Sequence, residues 1–261
     1  MIKTVSIIGT GNVSWHLSHR LVLAGFRIDQ IYGRNLNDKK YFDDLHHSEY
    51  ITELKRLRDN APLYILCVND DAVEEILKNL PFELDHSQIL VHTSGTLSID
   101  IFKKHANRYG CIWPVQTLIR GQQILTHQLP MVVTASDDQT AQQLLSIAEL
   151  ISGRVSLLDD ESKKKIHLGA VICNNFTNHL LTLTQRYCEE YQVPFELLKP
   201  LIKETVMKAD MAKPINLQTG PARRNDKMTI EKHLEMLESD TELYKLYCLM
   251  SESILKTYYK N

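Results

Sequence analysis

The sequence predicts an α/β protein: a mostly parallel β-sheet over residues 1–158, followed by an all-α domain over residues 159–261. Three observations lead there. Short apolar runs of strand length alternate with helix-period segments through the first part. A turn with two closely spaced glycines joins the first of those runs to the first helix. After about Leu158 the strand-like runs stop and a long proline-free stretch begins. Alternation is what a parallel sheet demands, because each parallel neighbour needs a crossover connection.

Thr4–Ile8 (TVSII) reads as the first strand and Val13–Leu23 as the first helix. Phe26–Tyr32, entered through Gly25, is the second strand. The polar segment 35–60 holds at most a short strand near Tyr50–Thr52. Leu63–Val68 is continuously apolar, as a strand buried on both faces should be. Gln88–His92, Tyr109–Trp113, Pro130–Ala135 and Arg154–Leu158 complete the sheet. Helices are expected at Asp71–Asn79, Ile99–Asn107 and Asp138–Ile151. Residues 159–191 suit one long helix; Pro194, Pro200, Pro214 and Pro221 then punctuate shorter ones, and Met228–Glu238 and Glu242–Tyr259 finish the chain.

Composition narrows the function. The chain has 261 residues, 43% hydrophobic and 24% charged, which is ordinary for a soluble protein with a sizeable core. A net charge of -2 offers no global basicity to nucleic acid or an anionic membrane. The five cysteines are dispersed without a CxxC pair, which predicts reduced thiols and neither a disulfide frame nor a metal site. The first residues lack the features of a signal peptide and no apolar run is long enough to span a bilayer, so a cytoplasmic protein is expected.

Gly9 and Gly11 follow the first strand, and Ser14 holds the third small position of a G-x-G-x-x-S pattern. The first glycine permits the turn, the second lets a pyrophosphate approach the backbone, and the third small residue lets the helix pack on the strand. The pattern predicts a Rossmann-type dinucleotide cradle on Gly9, Thr10, Gly11, Asn12 and Val13. A carboxylate about 20 residues on, at the end of the second strand, would select NAD. Asp29 has that spacing, but Ile31 and Tyr32 continue the apolar run and place it inside the strand. The strand's end reads Tyr32-Gly33-Arg34-Asn35, and a guanidinium at that point favours NADP (NADPH).

Two further loops belong to the same cleft, because ligands bind beyond the carboxyl ends of the strands. VNDDAV offers Val68, Asn69 and Asp70, the last two also good helix caps. HTSGTLS offers Ser94; His92 reads more readily as a strand-end histidine than as a catalyst. Gln116 of WPVQT reaches toward the cleft or makes a packing turn.

The stretch IHLGAVICNNFTNHLLTL reads as a buried helix, yet carries His167, Asn174, Asn175, Asn178 and His179. On a regular α-helix His167, Val171, Asn174 and Asn178 share one face. Buried amides need partners, so the stripe is either a site wall or an inter-helix hydrogen-bond network. QTGPARRND places Thr219 and Arg223 in a turn before a helix, as an anion clamp or a solvated basic loop. Glu204 and Thr205 are weaker candidates on a charged helix.

Together IIGTGNV, YGRN, VNDDAV, HTSG, NNFTNHL and QTGPARRND resemble a family that pairs an NADP-oxidoreductase-type Rossmann domain with a helical domain of the DUF2520 type. Wider relatives are the pyrroline-5-carboxylate reductases, the deazaflavin-dependent NADP reductases and the 6-phosphogluconate and hydroxyacid dehydrogenases. The resemblance implies hydride transfer with NADPH, a helical domain that often dimerises, and an active site between the domains. IWPVQT sits where the pyrroline-5-carboxylate reductases carry a Met-Pro-Asn turn, and QTGPARRNDKMTI resembles in position their glycine-rich loop before the last helices. In hydroxyacid dehydrogenases a catalytic lysine shortly precedes an Asn pair. Here Asn174 and Asn175 remain, but Val171 holds the lysine's place and cannot move a proton. Imine or carbonyl reduction of a small anionic substrate therefore fits better than alcohol oxidation. The substrate is expected against Ser94, Gln116, Asn174, Asn178, Thr219 and Arg223, with His167 or His179 as the acid. The alternative is a non-catalytic NADP-binding redox sensor or scaffold. A homodimer through the helical domain is expected.

Overall fold

The computed structural model describes residues 2–45, 48–122, 124–125 and 129–259. Its sheet has eight strands: β1 (Thr4–Ile8), β2 (Arg27–Tyr32), β3 (Glu49–Ile51), β4 (Leu63–Leu66), β5 (Ile89–His92), β6 (Arg108–Pro114), β7 (Pro130–Ala135) and β8 (Arg154–Leu157). They lie in the order β3-β2-β1-β4-β5-β6-β7-β8, and every pairing is parallel except β6 with β7. An antiparallel pair of this kind needs no crossover helix between its strands. The sheet is Rossmann-type, as expected.

Period-two burial divides the core in two. Val5, Ile7, Leu63 and Ile65 face α1 (Asn12–Leu23) and α3 (Asp138–Ile151), where they meet Leu17, Leu21, Leu144 and Ile147. Ile8, Tyr64, Leu66 and Leu90 face the other way, against Val73, Ile76 and Leu77 of α2 (Asp70–Lys78). Both faces are covered, which is why the central strands carry no polar alternation.

Residues 99–107 do not form the expected α-helix. Ile99–Phe102 make a 3-10 turn that ends at Lys103. Its two buried residues, Ile99 and Phe102, are three apart, which suits the 3-10 period. Asp160 of α4 (Asp160–Ala170) locks its start, accepting from the Ser98 hydroxyl at 2.6 Å and the Ile99 N–H at 3.0 Å.

The expected long helix is interrupted. α4 is followed by a π-helical segment, Val171–Phe176, and then α5 (Thr177–Glu190). A π turn closes i→i+5 bonds and so shifts the helix phase. The chain separates into two compact units, Met1–Cys173 and Asn174–Asn261. The first therefore extends past Leu158, where the composition changes, to take in α4. Lys163 shows why: it is fully buried, and its Nζ donates to the Leu97 carbonyl at 2.6 Å and to Asp160 Oδ1 at 2.7 Å. The second unit continues with α6 (Lys199–Met211), α7 (Pro221–Arg224), α8 (Lys227–Met236) and α9 (Thr241–Tyr258). Among the described residues no helix is long and apolar enough to cross a membrane.

Burial alone would raise the Asp160 carboxyl, but hydrogen bonds from Lys163 and Ser98 and the Lys163 charge hold it below the ordinary carboxylate range. Lys163→Met leaves Asp160 without its cation and is expected to lose about 3 kcal/mol in urea unfolding; Asp160→Asn added to it should recover part of that. A carboxyl lowered by folding stabilises above its unfolded pKa and loses that stabilisation as pH falls. The gap between wild type and Lys163→Met should therefore narrow on acidification through the carboxylate range.

Candidate functional site

From β1 the chain turns through Gly9, Thr10 and Gly11 into α1. Gly9 has φ +114°, and a Cβ there would overlap the Cys67 carbonyl oxygen and stand 2.9 Å from Val68 Cγ1. Glycine is required there because the ends of β1 and β4 pass so closely. Gly11 differs: its φ is -72°, and a Cβ would meet nothing within 4 Å. Its missing side chain serves no packing and leaves an open face over the helix N-terminus. Ser14, the third small residue, is fully buried in the first turn of α1.

Beside this turn lies a cleft of about 470 Å³. It sits at the point where strand order reverses, between β1 and β4, the usual ligand crevice of an open α/β sheet. Gly9, Thr10, Gly11, Arg34, Val68 and Asn69 line it, as the sequence implied. Gly11 caps α1 without a side-chain hydrogen bond, and the first turn of α1 carries no acidic residue. The positive helix end and its unpaired N–H groups are thus available to an anion, so these residues fit a dinucleotide pyrophosphate.

Asp29 is not in the cleft. It is 2% exposed inside β2, accepting from Arg27 at 2.7 Å and from Arg58 at 3.0 and 3.1 Å. Burial opposes its ionisation, but the two guanidinium groups outweigh that and hold its pKa below the ordinary range. Arg34 at the strand's end is exposed and lines the cleft. Asn35 stands outside the lining; its Oδ1 accepts the Asn37 N–H at 3.0 Å and caps a 3-10 turn, Leu36–Tyr41.

Asn69 is the N-cap of α2, yet its side chain makes no capping bond and faces the cleft. Asp70 accepts from Ser94 Oγ at 2.9 Å and Thr96 Oγ1 at 2.7 Å, and Ser94 Oγ accepts the N–H groups of Thr96 and Leu97. This pair ties the β5 loop to α2 and lies outside the cleft lining, as do Asn12 and Val13. His92 is 1% exposed, with Nδ1 accepting the Ser94 N–H at 3.1 Å. Burial, with the Lys163 charge behind it, pulls its pKa down to about 3, so the ring is neutral at physiological pH. His167 packs against Trp113, with ring centroids 5.5 Å apart and the planes tilted by 47°. Both press on Gly95, where a Cβ would be 2.5 Å from His167 Cδ2. Gln116 is exposed, its Oε1 accepting the Thr117 N–H at 3.0 Å.

Residues 129–254 match the family described as Domain of unknown function (DUF2520). A crystal structure of a candidate NADP oxidoreductase from Bacteroides fragilis is 34% identical, with 98% of each chain covered and a TM-score of 0.89. The chain belongs to this family of NADP-oxidoreductase-type Rossmann proteins with a DUF2520 domain. More distant family resemblances are of fold. An imine reductase from Myxococcus stipitatus in complex with NADP+ is 12% identical over 96% of this chain and 92% of that one, with a TM-score of 0.69. A pyrroline-5-carboxylate reductase from Coxiella burnetii is 14% identical over 99% and 98%, with a TM-score of 0.61. No curated protein matches the chain.

The other candidates of this family member lie in its second unit. Asn174, Asn175, Asn178 and His179 are exposed, not buried as their apolar setting suggested, and Ile172 and Phe176 beside them are 52% and 57% exposed. The shared face of His167, Val171, Asn174 and Asn178 does not survive either, because the π segment breaks the four-residue stacking. Thr219 is exposed. Arg223 lies over the Tyr258 ring, 4.4 Å from its centroid, and its carbonyl accepts from the Tyr259 hydroxyl at 3.0 Å. Glu204 is paired with Lys208 at 2.9 Å, and the Thr205 hydroxyl bonds back to the Leu201 carbonyl.

Sequence reasoning missed one wall of the cleft: Leu54, then Ala72, Glu75 and Ile76 of α2, and Asn79 at the C-terminal end of that helix. The spacing of the last four, one helix face beginning just past VNDDAV, was the available signal. The two glycines separate experimentally. Gly9→Ala should cost roughly 1–3 kcal/mol in urea unfolding through strain and overlap, whereas Gly11→Ala should stay within about 1 kcal/mol of wild type.

Proposed function

We propose that this protein is an NADP(H)-dependent oxidoreductase transferring hydride to the imine or carbonyl carbon of a small anionic substrate, with imine reduction favoured. The observation that carries the reading is one cleft in which the uncapped N-terminus of α1, open at Gly11, stands beside the exposed Arg34 guanidinium. The only carboxylate of β2, Asp29, is committed to Arg27 and Arg58. Bound NADPH supplies the hydride, so the protein's work is positioning and electrostatics. The N-terminal N–H groups of α1 hold the pyrophosphate, Arg34 takes the 2′-phosphate, and Leu54 and Ile76 offer apolar walls. His167, on Trp113, is the first unit's candidate to hold a proton on a ring nitrogen. Arg223 is the candidate for the substrate's anionic group. The 34%-identical relative from Bacteroides fragilis and the use of this fold by imine reductases support the reading.

The same reading makes the protein a homodimer through the helical unit. Leu197, Leu201 and Met211 are 74%, 64% and 80% exposed in the single chain, a large apolar load for a monomer.

The first test is a fluorescence titration with NADPH and NADH. Saturable NADPH binding is expected, weakened about 10- to 100-fold by Arg34→Ala with little change for NADH. No binding of either nucleotide overturns the reading; binding without turnover on cyclic imines and ketones favours the redox-sensor alternative. Light scattering should return a dimer mass that Leu201→Asp reduces to a monomer, and a monomeric wild type would reject the dimer.

A further inference from the structure

We infer that Arg120 is a positioning residue for the dinucleotide, one that fixes the Thr10–Gly11 peptide so that the Gly11 N–H is presented to the pyrophosphate. The inference rests on the dinucleotide reading above. Arg120 comes from the connection between β6 and β7, yet its Nη2 donates to the carbonyl oxygen of Thr10, 110 positions away. Its Nη1 stands 3.6 Å from Asp38 Oδ1, and its guanidinium lies over the Tyr41 ring, 4.0 Å from the centroid. Asp38 Oδ2 in turn accepts from the Thr10 hydroxyl at 2.8 Å. Thr10 is therefore gripped twice, at its carbonyl by a cation and at its hydroxyl by that cation's carboxylate partner.

The connection carrying Arg120 is itself bound to α1. The Arg120 N–H donates to Asn12 Oδ1 at 3.3 Å, His16 Nε2 donates to the Ile119 carbonyl at 2.9 Å, and Arg20 donates to the Ile124 carbonyl. Burial lowers the His16 pKa, and the hydrogen bond to Ile119 opposes that shift.

A trans peptide is planar, with its carbonyl and the following N–H pointing in opposite directions. Anchoring the Thr10 oxygen on Arg120 thus turns the Gly11 N–H the other way. Without that anchor the peptide is free to flip, because Gly11 has no Cβ and empty space around it. A flipped peptide would aim a carbonyl dipole at the incoming anion. Arg120 lines the neighbouring hollow with Tyr41 and Lys40 and is outside the cleft lining. It acts through the backbone, and its contribution is pre-organisation.

This separates Arg120 from Arg34. A backbone effect at the pyrophosphate is shared by both nicotinamide nucleotides; a 2′-phosphate contact is not. Titrations of wild type, Arg120→Ala, Arg120→Lys and Arg34→Ala with NADPH and NADH test it. Arg120→Ala should weaken both nucleotides by the same factor, about tenfold, and millimolar guanidinium should restore part of both affinities. Arg120→Lys keeps the charge without the fork and should show a smaller loss, again equal for both, so the test survives if the alanine variant does not fold. Equal affinities for wild type and a folded Arg120 variant overturn the inference. So does a loss confined to NADPH, which would make Arg120 a 2′-phosphate ligand. A wild type that binds neither nucleotide removes the dinucleotide reading itself, and this inference with it.

Discussion

The approach of the β1 and β4 ends at Gly9 is the constraint on which the cleft depends. The Gly9 N–H bonds to the Tyr32 carbonyl at 2.8 Å and the Cys67 N–H to the Ile8 carbonyl at 2.7 Å. Three strand ends are thereby drawn together at one point, with no room for a side chain between them. From that point β2 and β3 run one way and β4 onward the other. The crevice this reversal opens receives the N-terminus of α1, the Arg34 end of β2 and the Asn69 loop. Packing makes the hole; the helix end and the arginine give it a sign.

Several acids of the first unit are paired away from the cleft. Asp29 is neutralised inside the sheet by Arg27 and Arg58, and Asp160 by the buried Lys163. Asp38 is held by Thr10 and Arg120. One carboxylate lines the cleft, Glu75 of α2, on the same wall as Ala72 and Ile76. Each neutralised acid does structural work where it sits, and the site keeps an exposed guanidinium.

Much of this was legible beforehand. The G-x-G-x-x-S pattern marked the turn that borders the cleft, and the apolar continuation through Ile31 and Tyr32 kept Asp29 inside the strand. The second-unit helix was the hard case. A run such as LGAVICNNF looks buried to any reading based on composition, and a regular helix looks like the default for a proline-free stretch. The π segment at Val171–Phe176 carries no proline or other breaker that a local rule would register.

By itself the sequence determined the alternation of strands and helices, the glycine turn, and the identity of the residue ending β2. These depend on near neighbours in the chain: apolar period, turn chemistry and residue type act over a few positions. Only the tertiary structure decided that Asp70 and Ser94 bond to each other and that Arg120 grips Thr10. Those contacts join residues tens to more than a hundred positions apart. Their partners are chosen by how the elements pack, and no local pattern in the chain encodes that choice.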